Sequence, residues 1–476
     1  MPRRHLHILS VIAAVSMLCY FTHRRTKDAL VVADALQLIE SQYLDPVDKR
    51  KLVIGSLAGM TDQLDPYSEF VSLDDYQRLQ DTMNQEFAGI GIYVDKSDVT
   101  EPARVVTPLV GSPAREAGLK AEDRILEVDG ESVATLKLEE VSRRLKGPVG
   151  SRVALTIGRA DEKLELTVRR DTIEMESVVG HHRDPQDRWV YRLDDHPGIA
   201  YARLTTFGEK TPDELQRVIE GFGPEVTGFI LDLRGNGGGL LDTAVQICDF
   251  FLSSGPVVST EVRGGVREYE YFAESDTIVD ANLPLVVLID GDSASASEIV
   301  AAALQDRGRA TIIGQRSYGK GTVQNVVPLE AGRSALKLTV ARYLRPSGKN
   351  IHRREDASPS DDWGVSPKPV HTIPLSDADR YRLRSRWSLA AFPYGTAPKP
   401  PAIVGPPRPA GLSIAHEKSD ETGGDQASVD ADASKPIHGK ALPTKGANTS
   451  GEPFEAFRDT QLEHAAEWLI QKRAAA

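Results

Sequence analysis

A chain of 476 residues has room for two or three domains, and its 40% hydrophobic residues together with 39 glycines are the usual globular proportion. Its 69 acidic residues outnumber 57 basic ones, and a net charge of −12 repels nucleic acid, so DNA and RNA are disfavoured as main partners. Two cysteines, Cys19 and Cys248, rule out a disulfide framework and a Cys-rich zinc site.

Residues 1–27 set Arg3 and Arg4 before an apolar run that ends near Phe21, with Arg24, Arg25 and Lys27 beyond it. This is the pattern of a signal sequence or signal anchor. No small-residue cleavage site is well placed, so an uncleaved anchor in a membrane is the preferred reading. Basic residues on both flanks leave its orientation undecided by charge. From 28 to 85, Leu30, Ala33, Leu36, Leu38 and Ile39, then Leu52, Leu57 and Met60, recur at helical spacing and predict a helical cap. Across 86–170 the pattern becomes short alternating strands, Ile90 to Val94, Arg152 to Ile157 and Lys163 to Val168, with a helix face at Leu138, Val141 and Leu145. A small β-rich domain is expected.

From 171 to 372 apolar strands alternate with helices, the signature of an α/β core. Strands are predicted at Phe229 to Leu231, Leu285 to Ile289, Thr311 to Ile313, Thr322 to Pro328 and Ala335 to Tyr343. Residues 398–452 are rich in Pro, Gly, Ala, Ser and Asp and lack aromatic side chains, so a disordered low-complexity linker is expected. Residues 453–476 predict a final helix, with Phe457, Leu462, Ala465, Trp468 and Leu469 near one face.

Four segments carry chemistry. Asp232-Leu233-Arg234-Gly235-Asn236-Gly237-Gly238-Gly239 follows a buried strand and precedes a helix, so its backbone N–H groups suit either a phosphate cradle or an oxyanion hole. Leu240 occupies the place of the last glycine in a dinucleotide fingerprint, which therefore fails. Ser293-Ala294-Ser295-Ala296-Ser297-Glu298 lies between a strand and a helix. A serine there is either a nucleophile at a strand's carboxyl end or an N-cap, with Ser295 and Glu298 spaced as a capping box. Gly314 to Gly321 nearly spells a P-loop, but Gly321 stands where the magnesium-binding hydroxyl belongs. Lys320 is then either an ordinary surface lysine or one lodged close to another backbone by its flanking glycines, with Gln324 able to point back at it. Finally, Gly89, Ile90, Gly91 and Ile92 can turn N–H groups toward a terminal carboxylate beside a strand that pairs with an extended peptide.

The ordered set resembles the C-terminal processing peptidases, the tail-specific serine proteases of peptidase family S41. It comprises Leu64-Asp65-Pro66-Tyr67-Ser68, Ser112-Pro113-Ala114 with Ala117-Gly118-Leu119, the glycine run, the serine triplet, Gly319-Lys320-Gly321-Thr322-Val323-Gln324, and Ala341-Arg342-Tyr343 with Pro346-Ser347-Gly348. The resemblance implies a crotonase-like α/β peptidase core, an inserted β-rich PDZ domain that recognises substrate C-termini, and an N-terminal helical cap. It further implies Ser295 as nucleophile, Lys320 as general base, Gln324 orienting the lysine, and an oxyanion hole from the N–H groups of Gly239 and Ala296. The expected partners are proteins with free C-terminal tails and no cofactor or metal is implied. An envelope location, with catalysis outside the cytoplasm, is expected. Two departures stand out: Gly237 where many relatives carry proline, and Glu122 where glycine is common.

A lysine is a base only when neutral, so its ordinary pKa near 10.4 must fall by about three units for work at neutral pH. Apolar burial achieves this; the three serines and Gln324 can hydrogen-bond the uncharged amine, and no acidic residue adjoins Lys320 in sequence. Two other readings compete: a membrane-tethered PDZ adaptor with a degenerate core, and a nucleotide-dependent enzyme built on the near-P-loop.

Overall fold

The computed structural model describes residues 28–96, 100–274, 277–358, 360–390, 392–394 and 457–474. The expected anchor, 1–27, and the expected low-complexity linker, 398–452, lie outside the described residues. Among the described residues no helix is long and apolar enough to cross a membrane.

The chain divides into two compact units, the first made of Met1–Thr82, Ser259–Glu270 and Gly321–Leu344. Helices cover 28–42 and Lys49–Thr61, the second started by Asp48, whose carboxylate accepts the amides of Arg50 and Lys51. Strand Glu69–Val71 pairs antiparallel with the long strand Ser334–Leu344, which also pairs with Thr322–Leu329 and with residues 259–262. The segments 259–270 and 321–344, expected within the α/β core, thus group with the N-terminal residues. Strand pairing is non-local, so hydrophobic spacing along the chain does not report it. Leu30, Leu38, Ile39 and Met60 are exposed: their spacing locates the helices without implying a buried face.

In the second unit a five-stranded sheet runs in the order Val178–Val179, Ile199–Leu204, Gly228–Asp232, Leu285–Ile289, Thr311–Gly314, and the last four strands are parallel. Gly228–Asp232 and Leu285–Ile289 are buried along their whole length, as parallel strands covered on both faces must be. Ile230, Val286, Leu288 and Ile313 pack with Leu462, Ala465, Ala466 and Leu469 of the final helix, Thr460–Ala474. The chain therefore returns, after the expected linker, to cover its own central sheet.

The β-rich domain belongs to the same unit. Its sheet runs Ile92–Asp95, Ala103–Pro108, Arg124–Val128, Arg152–Arg159, Glu162–Arg169, around a core that includes Ile90, Val105, Ile125, Val141, Leu145, Leu155 and Ile157. The strand expected from Ile90 is interrupted by Gly91, whose φ of +75° breaks the ladder. Glu86–Gly89 pairs instead with Asp171–Glu174, and Ile92–Asp95 forms the edge of the domain's sheet. Glu122, at the position where the resemblance leads one to expect glycine, has φ +73° and pairs with Arg104 at 2.9 Å.

Candidate active site

Three neighbouring parallel strands of the central sheet end side by side, and each delivers one of the expected elements. Gly228–Asp232 leads into the glycine loop, Leu285–Ile289 into the serine triplet, and Thr311–Gly314 into the loop ending at Lys320. The crevice beyond strand carboxyl ends is where open α/β sheets place their ligands.

Ser295 is the residue before helix Ala296–Asp306, and its φ of 57° with ψ of −116° is an unusual conformation for a side chain other than glycine. The turn is over-determined by its neighbours. The Ser293 hydroxyl donates to the Leu233 carbonyl at 2.8 Å and accepts the Asp290 amide at 2.9 Å, and the Ser297 hydroxyl donates to the Asn236 carbonyl at 2.9 Å. Both flanking serines therefore stitch the Ser295 turn to the glycine loop. The protons of those two hydroxyls thus go to backbone carbonyls. Asp290 adds to the stitching, accepting the amides of Gly235 at 2.9 Å and Asp292 at 3.0 Å, while its burial pushes the carboxyl pKa up.

The glycine loop presses against Ser295. A Cβ on Gly238 would lie 2.8 Å from the Ser295 Cβ and 2.9 Å from the Ala296 nitrogen, so only glycine allows this approach. Gly239 bridges to Phe207, and a Cβ there would meet the Phe207 carbonyl oxygen at 2.2 Å. The bridge uses the Gly238 carbonyl and the Leu240 amide, which leaves the Gly239 amide outside the ladder. Asn236 shapes the loop from within: its Oδ1 accepts the Gly238 amide at 2.8 Å and its Nδ2 donates to the Leu204 carbonyl at 3.0 Å. Below the loop, the fully buried Arg234 binds Asp232 and Asp459, and also donates to Gln461 at 3.1 Å. Burial alone would lower the Arg234 pKa, but the two carboxylates raise it well above its ordinary value.

Lys320 is half-buried, and the loop before it is pinned by Gly319, whose φ is +88° and whose Cβ, if present, would meet the Arg353 Cβ at 2.6 Å and the Trp363 ring at 2.9 Å. The backbone just before Lys320 thus lies against the segment bearing Arg353 and Trp363, and Gly319 is the residue that permits the approach. The buried carboxylate of Glu298 accepts the amides of Ser295, Gly319 and Lys320 and the hydroxyl of Ser317. Glu298 is spaced in sequence as a helix cap and no acid adjoins Lys320 along the chain; the fold brings the Glu298 carboxylate to the Lys320 amide. Gln324 belongs to the first unit, where its amide donates to Thr322 Oγ1 at 2.9 Å and Thr339 Oγ1 at 3.2 Å. Thr339 in turn donates to Asp65 at 3.0 Å, which ties the Leu64-Asp65-Pro66-Tyr67-Ser68 motif to the strand facing Gln324.

The four residues expected to receive a carboxylate lie in the β-rich domain. Ile90 and Gly91 offer their carbonyls to the amides of Ala114 (2.9 Å) and Leu109 (3.0 Å), and a Cβ on Gly91 would strike the Ser112 Cβ at 2.5 Å. Gly89 ends its strand and Ile92 opens the sheet's edge strand, so the turn between them stands where an added strand would end. Of the expected helix face, Val141 and Leu145 are buried in the domain core, and Leu138 alone of the three is partly exposed. Helical spacing marks the face that is buried, and here that face looks into the domain's own core.

Among the described residues, His181, His182 and Asp194 place potential metal-ligand atoms within 4.8 Å of one another. The Arg386 guanidinium donates to His181 Nε2 at 2.7 Å. A cation on Nδ1 would require a proton on Nε2, facing that donor, so the group reads as a hydrogen-bonded cluster.

The signature of peptidase family S41 matches residues 198–367 and that of a PDZ domain residues 104–159; a third, of the N-terminal domain of the activating protease CtpB, matches residues 21–74. A carboxy-terminal-processing protease of Bartonella bacilliformis is 38% identical over 351 residues, covering 72% of this chain and 75% of its own. The carboxy-terminal processing protease CtpA of Bacillus subtilis is 35% identical over 356 residues, covering 73% and 71%. Among solved structures, a photosystem II D1 C-terminal processing protease shares 28% identity over 73% of this chain and 93% of its own, with a TM-score of 0.40. The chain belongs to peptidase family S41. Within that family it is a carboxy-terminal processing serine protease with a PDZ domain and an α/β peptidase core, which sets aside the adaptor and nucleotide readings.

Proposed function

We propose that catalysis runs through a Ser295–Lys320 dyad. Neutral Lys320 takes the Ser295 hydroxyl proton as Oγ attacks the scissile carbonyl, and passes that proton to the leaving amine as the C–N bond breaks. Water then hydrolyses the acyl-enzyme by the same base. The amides of Gly239 and Ala296 hold the oxyanion. One observation carries the reading: the Glu298 carboxylate accepts both the Ser295 and the Lys320 amide, at 2.9 and 2.8 Å, so these two residues share a single anchor point.

Substrate tails enter the PDZ domain at Gly89, Ile90, Gly91 and Ile92, pairing with the edge strand Ile92–Asp95. Small or apolar final residues suit a site beside Leu138. Residues 1–27 anchor the protein in a membrane, with the protease domain on the outer side. Incubating the protein with a tail-bearing substrate and mapping the products by mass spectrometry tests the dyad. Ser295→Ala and Lys320→Arg are expected to be inactive, since arginine cannot deprotonate, and full cleavage by either would overturn it. Amidating the substrate's C-terminus should slow cleavage; equal rates for acid and amide would remove the carboxylate role from the PDZ domain.

A further inference from the structure

A capping glutamate satisfies an amide at the start of its own helix. Glu298 does more. Its side chain is wholly buried, at 0% exposure, and four donors converge on it. Oε2 accepts the Ser295 amide at 2.9 Å and the Lys320 amide at 2.8 Å, while Oε1 accepts the Gly319 amide at 2.7 Å and the Ser317 hydroxyl at 2.5 Å. Three of these donors come from the loop after the neighbouring strand, not from Glu298's own helix. Ser317 is fixed in turn, because its hydroxyl accepts the Val365 amide at 2.7 Å and its own amide donates to the Val365 carbonyl at 3.0 Å.

The chemistry requires a carboxylate. An ionised carboxyl offers two acceptor oxygens and no donor, which suits four converging donors, whereas an amide would set an NH2 against two of them. The Ser295 backbone, at φ 57°, is the kind of conformation that persists only when its surroundings over-determine it, and the bond from its amide to Glu298 is one such restraint.

We propose that Glu298 is a positioning residue for the hydrolysis, a buried carboxylate that sets the spacing of Ser295 and Lys320 by holding both backbone amides on one oxygen. This rests on the Ser295–Lys320 reading. Glu298 touches no substrate; it acts through the two residues that do.

The test is Glu298→Gln in the full chain, assayed on a tail-bearing peptide with kcat and KM measured separately and active sites counted by the acylation burst of an activated ester. The positioning role predicts that kcat per active site falls about tenfold to a hundredfold, the scale of a lost hydrogen bond to a charged group, with KM changed by less than about twofold. Ser317→Ala removes one donor from the lysine loop and leaves the carboxylate in place, so it should lower kcat several-fold in the same sense. A purely structural role would lower the thermal midpoint and the number of active sites while leaving kcat per site unchanged. Wild-type kcat per site in Glu298→Gln overturns the proposal, and so does wild-type kcat in Ser317→Ala should Glu298→Gln fail to fold. Ser295→Ala assayed alongside separates the two readings. If Ser295→Ala is inactive while Glu298→Gln turns over normally, the positioning role alone falls. If Ser295→Ala cleaves, the dyad falls and takes this role with it.

Discussion

Arg234 and Asp459, 225 positions apart in the chain, form a buried ion pair with Nη1 and Oδ1 2.9 Å apart. Arg234 sits in the glycine loop and Asp459 immediately before the final helix, so the end of the chain holds the base of the proposed oxyanion loop. Removing one partner of a buried pair leaves an uncompensated charge. Asp459→Asn is expected to destabilise the protein by roughly 3 kcal/mol, softened by Asp232, which stays bonded to the same guanidinium. Urea unfolding measures it, and an unchanged midpoint would show that Asp232 alone satisfies Arg234.

The two flanking serines should separate from Ser295 in their effects. Ser293→Ala takes the hydroxyl acceptor from the buried Asp290 amide, while the Leu233 carbonyl still accepts the Asn236 amide at 3.2 Å; Ser297→Ala leaves no amide without its acceptor, and the Asn236 carbonyl still accepts the Ala294 amide at 3.0 Å. Both variants should keep measurable protease activity. Ser293→Ala should cost about 1–3 kcal/mol and Ser297→Ala about 1 kcal/mol or less; the reverse order in chemical unfolding would refute this assignment of their bonds.

Gly237 is exposed, lacks a positive φ, and has nothing within 4 Å of a Cβ placed on it. The position therefore has room for the proline that the family resemblance leads one to expect. Gly237→Pro is expected to raise stability by about 0.5–1 kcal/mol by restricting the unfolded chain, with activity retained. A drop in stability would mean that proline is incompatible with the local backbone or with Asn236 before it.

His181 bears on acid stability. Burial, with the Arg386 guanidinium beside it, pushes its pKa from 6.5 down to about 4. The folded state thus binds fewer protons than the unfolded chain between these values, so its full contribution is present above pH 6.5 and is lost as pH falls toward 4. The loss is at most on the order of 3 kcal/mol. His182, bonded to Asp194 at 2.8 Å, is shifted upward and works in the opposite sense. Unfolding free energy measured from pH 7.5 to 4 should fall more steeply for the wild type than for His181→Asn; parallel curves would assign the acid sensitivity elsewhere.

Much of this protein is legible in the residues themselves. Alternating and helical hydrophobic spacing locates the strands Leu285–Ile289 and Arg152–Arg159 and the helix Leu138–Leu145, because local periodicity records which side of an element is buried. The glycine run, the serine triplet and the Gly319-Lys320-Gly321 segment are readable as chemistry because each lies within a few consecutive residues after a strand. Tertiary structure decided which atoms those segments touch. The sequence carries Glu298 as a cap, and only the neighbouring strand brings Gly319 and Lys320 onto its oxygens. It carries Arg234 as one charge in a loop, and only the return of the final helix supplies Asp459. Spacing also marks Val141 and Leu145 as one helix face, and only packing shows that the face is core rather than groove. The physical reason is common to all three: buried polar groups must find partners wherever the folded chain provides them, and those partners lie far off in sequence, where no local pattern points to them.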